Sequence, residues 1–187
     1  MQIPFGEWLP DQPKHLNPGS NVATNVYYAL NSYKRFPSLV NYSSNNIAAD
    51  ARGGGSFRNN AGAVFNFVAK NTDIYQLSGG AFTSRKGSLS GTNTDYWTFT
   101  QFGNYVIASN GVDAPQYYLM GTSTNFANLS AIQTAGTVPT FRVSGVIRDF
   151  LVTGNQTSNQ NRIQWSGIND ITTWLSGTKQ ADQQDLP

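Results

Sequence analysis

The 187-residue sequence contains no cysteine and little charge. The absence of cysteine excludes disulfides and thiolate metal sites, and it fits an intracellular or self-assembling protein better than a small secreted scaffold. Charged residues make up 12% of the chain, against about 25% in an ordinary soluble domain. The twelve Lys and Arg residues are scattered singly, so the basic cluster that phosphate neutralisation by a nucleic-acid-binding protein requires is missing.

Long apolar runs and helical periodicity are also missing. No run approaches the roughly 20 residues of a membrane helix, so no membrane segment is predicted. The first eight residues lack the basic and apolar regions of a secretory signal, so none is expected. No stretch keeps a 3.6-residue period over the length that an independently predicted helix requires. The polar residues are mostly Asn, Gln, Ser and Thr, and 13% of the chain is aromatic, which favours an all-β protein.

Two segments, 103–110 and 148–155, repeat each other at an offset of 45 residues. Each begins with a turn pair, Gly103-Asn104 or Arg148-Asp149, and continues as an apolar strand. A period of this length with several short strands is typical of a propeller blade. The sequence therefore predicts β-propeller-like blades of antiparallel strands. About three blades fit the chain, and because a closed propeller usually needs at least four, the arrangement is expected to be incomplete or open.

The chain divides by composition into two parts. Residues 1–45 contain five of the eight prolines, which remove backbone donors and break helices. This part is predicted to be an extended, proline-rich N-terminal docking segment, whose many large apolar side chains either pack on the chain's own core or bind a partner. Residues 46–187 are predicted to form the β-propeller-type domain. Within it, apolar stretches separated by turn residues predict strands. The predicted strands are 63–69, 74–77, one beginning at 82–83, 96–100, 105–108, 115–120, 141–147, 150–153 and 162–165.

Few residues have the spacing that catalysis requires, and we predict no enzyme activity and no catalytic, cofactor or metal site. His15 is the only histidine, so a catalytic triad or a histidine metal site would depend on it alone. A glycosidase needs two facing carboxylates, for which the candidates are Asp113, Asp149 and Asp170. Residues 170–174 are predicted to form a single helical turn that Asp170 caps.

Several motifs together resemble the tail nozzle (tail-tube hub) proteins of short-tailed bacteriophages. They follow one another along nearly the whole chain. In order, they are Phe5-Gly6-Glu7-Trp8-Leu9-Pro10-Asp11, Asn17-Pro18-Gly19, Ala23-x-Asn25-Val26, Tyr33 with Phe36-Pro37-Ser38-Leu39, Trp97-x-Phe99-x-x-Phe102-Gly103-Asn104-x-Val106-Ile107-Ala108-x-Asn110-Gly111-Val112-Asp113, Val146-Ile147-Arg148-Asp149-Phe150-Leu151-Val152-x-Gly154-Asn155, and Arg162-x-x-Trp165-Ser166 followed by Asp170 and Trp174.

The resemblance implies a structural protein of the virion tail, assembled in the host cytoplasm. Copies would form a sixfold ring below the portal and adaptor proteins, carry tail fibres or spikes, and let the genomic DNA pass through a channel without specific binding. Such proteins continue beyond the position of Pro187, so further blades are expected in relatives. Within the N-terminal segment, Phe5, Trp8 and Leu9 are the predicted residues for docking on the neighbouring ring. The alternative interpretation is a carbohydrate-binding propeller module that recognises host surface glycan.

Overall fold

The structure is a computed structural model that describes residues 8, 9, 11–13, 15, 16, 22, 24–28, 33–38 and 40–187. These residues form fourteen β-strands and one short 3₁₀ turn, and none of them lies in an α-helix. All strand pairs within the sheets are antiparallel. The prediction of an all-β fold is confirmed.

Two compact units make up the chain, Met1–Asn41 and Tyr42–Pro187. In the first unit, strand β1 (Val26–Tyr28) pairs with β2 (Tyr33–Arg35) to form a hairpin. The rings of Tyr27 and Phe36 meet edge to face, with centroids 5.8 Å apart. This packing of two aromatic rings adds to the small number of hydrogen bonds that a two-stranded hairpin can form.

The second unit contains three four-stranded sheets, each formed by four consecutive strands in chain order. Short turns with left-handed residues, such as Gly79-Gly80 in the first sheet and Arg148 in the third, join many of the strands. The first sheet consists of β3 (Gly53–Arg58), β4 (Val64–Ala69), β5 (Ile74–Ser78) and β6 (Ala81–Lys86). The second consists of β7 (Thr98–Phe102), β8 (Tyr105–Ser109), β9 (Gln116–Leu119) and β10 (Ala127–Asn128). The third consists of β11 (Phe141–Ile147), β12 (Phe150–Gln156), β13 (Arg162–Trp165) and β14 (Asp182–Asp185).

The 45-residue period relates the first strands of all three sheets. Gly53, Thr98 and Val143 occupy the same place, each paired with a residue of the second strand in its own sheet. The first strands of successive sheets also bind one another through side chains. Gln101 Nε2 donates to the carbonyl of Arg58 at 2.7 Å, and Thr98 Oγ1 donates to the carbonyl of Arg142 at 2.8 Å. Successive sheets are therefore joined at their first strands.

We call the face of a sheet that packs on the next sheet along the chain its forward face, and the opposite face its backward face. In the first and third sheets, the residues at equivalent strand positions define the same two faces. The first apolar cluster joins the forward face of the first sheet to the backward face of the second. It includes Phe67, Ala69, Val106, Ala108 and Tyr118. The second cluster joins the second sheet to the third in the same way and includes Phe102, Ile107, Leu129, Leu151 and Trp174. The middle sheet is thus covered on both faces.

The predicted helical turn at residues 170–174 is wrong. This segment is a non-helical turn, with an isolated bridge between Gly167 and Asp170 and another between Ala135 and Thr173. Asp170 nevertheless binds the backbone, since its Oδ1 accepts from the amide of Thr172 at 2.8 Å. The amide of Trp174 donates to the carbonyl of Ala135 and the carbonyl of Thr173 accepts from the amide of Gly167, so these groups are bound outside the segment and do not form a helical turn.

Candidate docking surface

Two of the three predicted docking residues are among those that the structure describes. The side chain of Trp8 is 54% exposed, and that of Leu9 is half-buried. The carbonyl of Leu9 accepts a weak bond from the amide of Gln12 at 3.4 Å. Phe5 lies outside the described residues. Docking through this group stays a prediction.

The three candidate carboxylates bind nearby loop residues or face solvent. Asp113 accepts bonds from the amide of Ser90 and the side chain of Asn110. Asp149 is exposed at the turn between β11 and β12. Asp170 accepts bonds from Thr172, Thr173 and Lys179. His15 is exposed. Within the described part of the chain, no group of three or more His, Asp or Glu side chains is placed to hold a metal ion, and no helix has the length and apolarity to cross a membrane.

An apolar, partly exposed surface in the second unit is the forward face of the third sheet. Cross-strand pairing places Val143, Ile147, Phe150, Val152 and Trp165 on this face. Val143 is 52% exposed and Ile147 is 62% exposed. Val143, Ile147 and Val152 line an open groove together with Ile163 and with the two glycines Gly145 and Gly154, which have no side chain to fill it. A face of this composition is suited to bind another apolar surface.

The forward faces of the other two sheets carry the same kind of residue at the same positions, and both are covered. Phe57, Phe65 and Phe67 of the first sheet pack in the first cluster. The equivalent residues of the second sheet are Phe102, Tyr105 and Ile107, and they pack in the second cluster. In the third sheet, the equivalent residues are Ile147, Phe150 and Val152. The third set is the one that stays open.

The backward face of the first sheet, like the forward face of the third, belongs to neither apolar cluster. Its members are Val64, Asn66, Val68, Tyr75 and Leu77, which pair across β4 and β5 or lie at alternate positions along them. Val64 is exposed and the others are half-buried. The equivalent positions of the second sheet, Val106, Ala108 and Tyr118, are packed into the first cluster. The unit therefore ends in a forward face at one side and a backward face at the other.

The 45-residue repeat in the sequence indicates which residues form this surface, but it does not show that the surface is exposed. The offset of 45 residues aligns Ile147, Phe150 and Val152 with three residues of the second sheet. It does not tell which side of a strand is covered, because apolar residues stand on both sides of β12: Leu151 is buried and Val152 is half-buried. Recognition of the open face required the cross-strand register.

No protein-family model matches this sequence, and no curated protein is significantly similar to it.

The Asp170 carboxylate gives a prediction for the stability at low pH. Partial burial alone would raise its pKa, but the bonds from Lys179, Thr172 and Thr173 outweigh burial and hold the pKa well below its ordinary value. A depressed pKa contributes stability that is present above the pKa of the unfolded chain, about 3.9, and is lost as the pH falls from there. We expect Asp170→Asn to lower the free energy of unfolding by about 1–3 kcal/mol at pH 7, and by progressively less below about pH 4.

Urea unfolding at a series of pH values between 7 and 2 measures this difference. Asp149→Asn is the matched control, because the exposed Asp149 side chain lies in a turn of the same sheet, and it is expected to change the stability by less than about 0.5 kcal/mol. A difference for Asp170→Asn that stays constant down to pH 2 would contradict the assigned role of the ionised carboxylate.

Proposed function

We propose that this chain is a structural virion protein of a bacteriophage tail, forming a ring, or nozzle, below the portal and adaptor proteins. Copies of the chain build the ring, fibres or spikes attach to it, and the genomic DNA passes through its channel without specific binding. The protein performs no enzymatic step and holds no cofactor. Its three sheets are three blades of a β-propeller-like domain, and the particle is assembled in the host cytoplasm.

The arrangement of the sheets supports the propeller component of the proposal. Each sheet has four strands in meander order, and the first strands of neighbouring sheets lie together, as the innermost strands of blades do. The sheets also pack face to face through apolar clusters, as successive blades must. A repeat of 45 residues agrees with four strands and their turns.

The observation that carries the virion role is the order of the tail-nozzle motifs along nearly the whole chain. Two of the motifs fall on equivalent hairpins: residues 97–113 include β7 and β8, and residues 146–155 include most of β12 and the turn before it. The low charge supports a DNA channel, since the scattered basic residues would not hold the phosphates strongly.

Quantitative mass spectrometry of density-purified phage particles from a producing culture tests the proposal. Peptides of this chain are expected at a copy number close to that of the portal protein. Their absence from clean particles would overturn the virion role. An immobilised glycan screen of the isolated chain then tests the carbohydrate-binding alternative, for which binding in the absence of any virion partner is the expected result.

The docking role of the N-terminal segment is tested by complementation with a Trp8→Ala/Leu9→Ala chain. We expect the variant to remain folded but to be lost from particles, because two apolar side chains of the docking segment are removed. Tyr96→Ala is the control, since Tyr96 is an exposed aromatic residue of the second unit. Normal incorporation of the double variant would show that the segment docks through other residues or does not dock.

A further inference from the structure

We infer that a cleft on the fourth strand of the first sheet binds the phosphate group of a small phosphate monoester. The cleft has a volume of about 390 Å³ and opens between β6 of the first sheet and the loop that precedes β10 of the second. Its lining residues are Ser84, Arg85, Lys86, Gly87, Asn125 and Phe126. The inference goes beyond the proposed virion role and does not rest on it.

Two cations line this cleft side by side because β6 contains a bulge. Ile74 of β5 pairs with Lys86. The next residue of β5, Tyr75, pairs with Ser84, so Arg85 is left as an extra residue in β6. Neighbouring side chains of a regular strand point to opposite faces of the sheet, whereas a bulge redirects one of them. Arg85 and Lys86 therefore both reach the cleft.

Neither cation is neutralised by a carboxylate of the described residues. Arg85 and Lys86 are half-buried, and the ion pairs found in the described part of the chain include neither of them. The carboxylate of Asp73 lies close to Gly87, but it already binds Lys70 at 3.1 Å. Two half-buried positive charges without a counter-charge are unfavourable, so the cleft favours an anion.

The guanidinium of Arg85 is held in place by one nitrogen and presents the others. Its Nε donates to Oε1 of Gln76 at 2.9 Å, and Gln76 is only 7% exposed. The carbonyl of Arg85 accepts from the amide of Phe126 at 2.8 Å, which ties β6 to the loop of the second sheet. Among the described residues, none accepts a hydrogen bond from the two terminal nitrogens. This fork is suited to two oxygens of a phosphate, and the ammonium of Lys86 adds a second positive charge.

The charge and size of the cleft select among anions. A phosphate monoester carries a charge of about −1.5 to −2 at pH 7 and matches two cations, whereas a carboxylate or a phosphate diester carries one negative charge. The volume of about 390 Å³ exceeds what a phosphate group alone fills and falls in the range of small-molecule sites, about 300–1,000 Å³. Room therefore remains for the small group esterified to the phosphate.

The equivalent place in the third sheet contains the acid that the cleft lacks. The 45-residue offset aligns Asn125 with Asp170, whose carboxylate binds Lys179. A lysine there has an acidic partner from its own chain, whereas the aligned residue at the cleft is an uncharged amide. Asn125→Asp would therefore supply a negative charge beside the two cations and compete with the ligand.

Isothermal titration calorimetry of the full chain with glycerol phosphate and with inorganic phosphate, at constant ionic strength, tests the inference. We expect a dissociation constant of about 1 mM or lower for glycerol phosphate. Arg85→Gln and Lys86→Gln should each raise it at least about 10-fold, because each removes a charged donor. Asn125→Asp should abolish binding. Arg58→Gln is the control, since it removes an exposed cation from the first strand of the same sheet and should leave binding unchanged.

Further probes separate the possible sources of the anion. Acetate and dimethyl phosphate, each with one negative charge, should bind at least about 5-fold more weakly than glycerol phosphate. Equal binding of acetate would overturn the assignment, as would tighter binding of inorganic phosphate than of its ester. A wild-type chain that binds no glycerol phosphate up to about 10 mM, or a Lys86→Gln chain that binds it as well as wild type, would also overturn the inference. These results leave the mass spectrometry of particles unaffected, so the two proposals fail separately.

Discussion

Replacing Leu151 with alanine is expected to lower the free energy of unfolding by about 3–4 kcal/mol. Leu151 lies on β12 with no exposed surface, within the cluster between the second and third sheets. Its neighbours in this cluster include Ile107 and Trp174. Ile107 belongs to the middle sheet, which is itself covered on both sides, so the walls of the cavity left by alanine have little freedom to collapse. Urea unfolding with a fluorescence or circular dichroism signal measures the effect.

Ile147→Ala provides the matched control, because it removes the same number of carbon atoms from the neighbouring strand. Ile147 is 62% exposed on the forward face, and its truncation should lower the stability by less than about 1 kcal/mol. Equal losses for the two variants would mean that the third sheet does not pack on the second through Leu151.

The second large effect is expected for Gly136→Ala, with a loss of about 3–5 kcal/mol. Gly136 has a φ of +78°, which an L-residue adopts only at a cost. A Cβ at this position would lie 2.3 Å from the amide nitrogen of Leu175 and from the carbonyl carbon of Trp174. The segment cannot move away cheaply, because the amide of Trp174 donates to the carbonyl of Ala135 at 2.7 Å and the Trp174 ring lies in the core.

Gly177→Ala isolates the part of this loss that comes from the backbone conformation alone. Gly177 has a similar φ of +81°, but a Cβ there would meet no atom within 4 Å. The expected loss is about 1–2 kcal/mol. Thermal or urea unfolding of the two variants gives the comparison. If Gly136→Ala were no more destabilising than Gly177→Ala, the close approach of residues 135–136 to the Trp174 segment would be refuted.

The hairpins of the second and third sheets could be predicted from sequence because their signals are local. In β8 and β12, apolar stretches follow Gly103-Asn104 and Arg148-Asp149, and in the structure both pairs turn between the strands as predicted. The strand beginning at Phe82 is likewise confirmed as part of β6. Turn residues beside an apolar stretch favour one hairpin register without help from the rest of the chain.

Strands β3 and β14 were missed because distant partners determine them. In β3, the glycines at 53–55 have low strand propensity, but a Cβ on Gly54 would lie 2.7 Å from the carbonyl oxygen of Phe67, so the close approach favours glycine. Strand β14 is polar and exposed along its length. It pairs with β13, and Arg162 binds Asp185 across the pair at 2.6 Å. Neither contact can be inferred from the residues of the strand alone.

The exposure of the forward face of the third sheet could likewise not be predicted from the sequence. The 45-residue repeat predicted strands of the right spacing, and it placed Val152 opposite Ile107. In the structure Ile107 is fully buried and Val152 is half-buried, because only the former has a following sheet against it. Similar apolar side chains at equivalent positions of two sheets are thus buried to different extents. Only the three-dimensional order of the sheets reveals which of these positions remains open.

The equal spacing of the first strands also affects how such a gene can change length. Gly53, Thr98 and Val143 are separated by the same 45 residues, so a duplication or deletion of 135 base pairs begins and ends at the same point of two sheets. Each contact between successive sheets would again join a forward face to a backward face, whichever unit was copied or lost. Since the stability of such arrays is close to a sum of units and nearest-neighbour interfaces, recombination in steps of one whole sheet is the change in length that this architecture tolerates best.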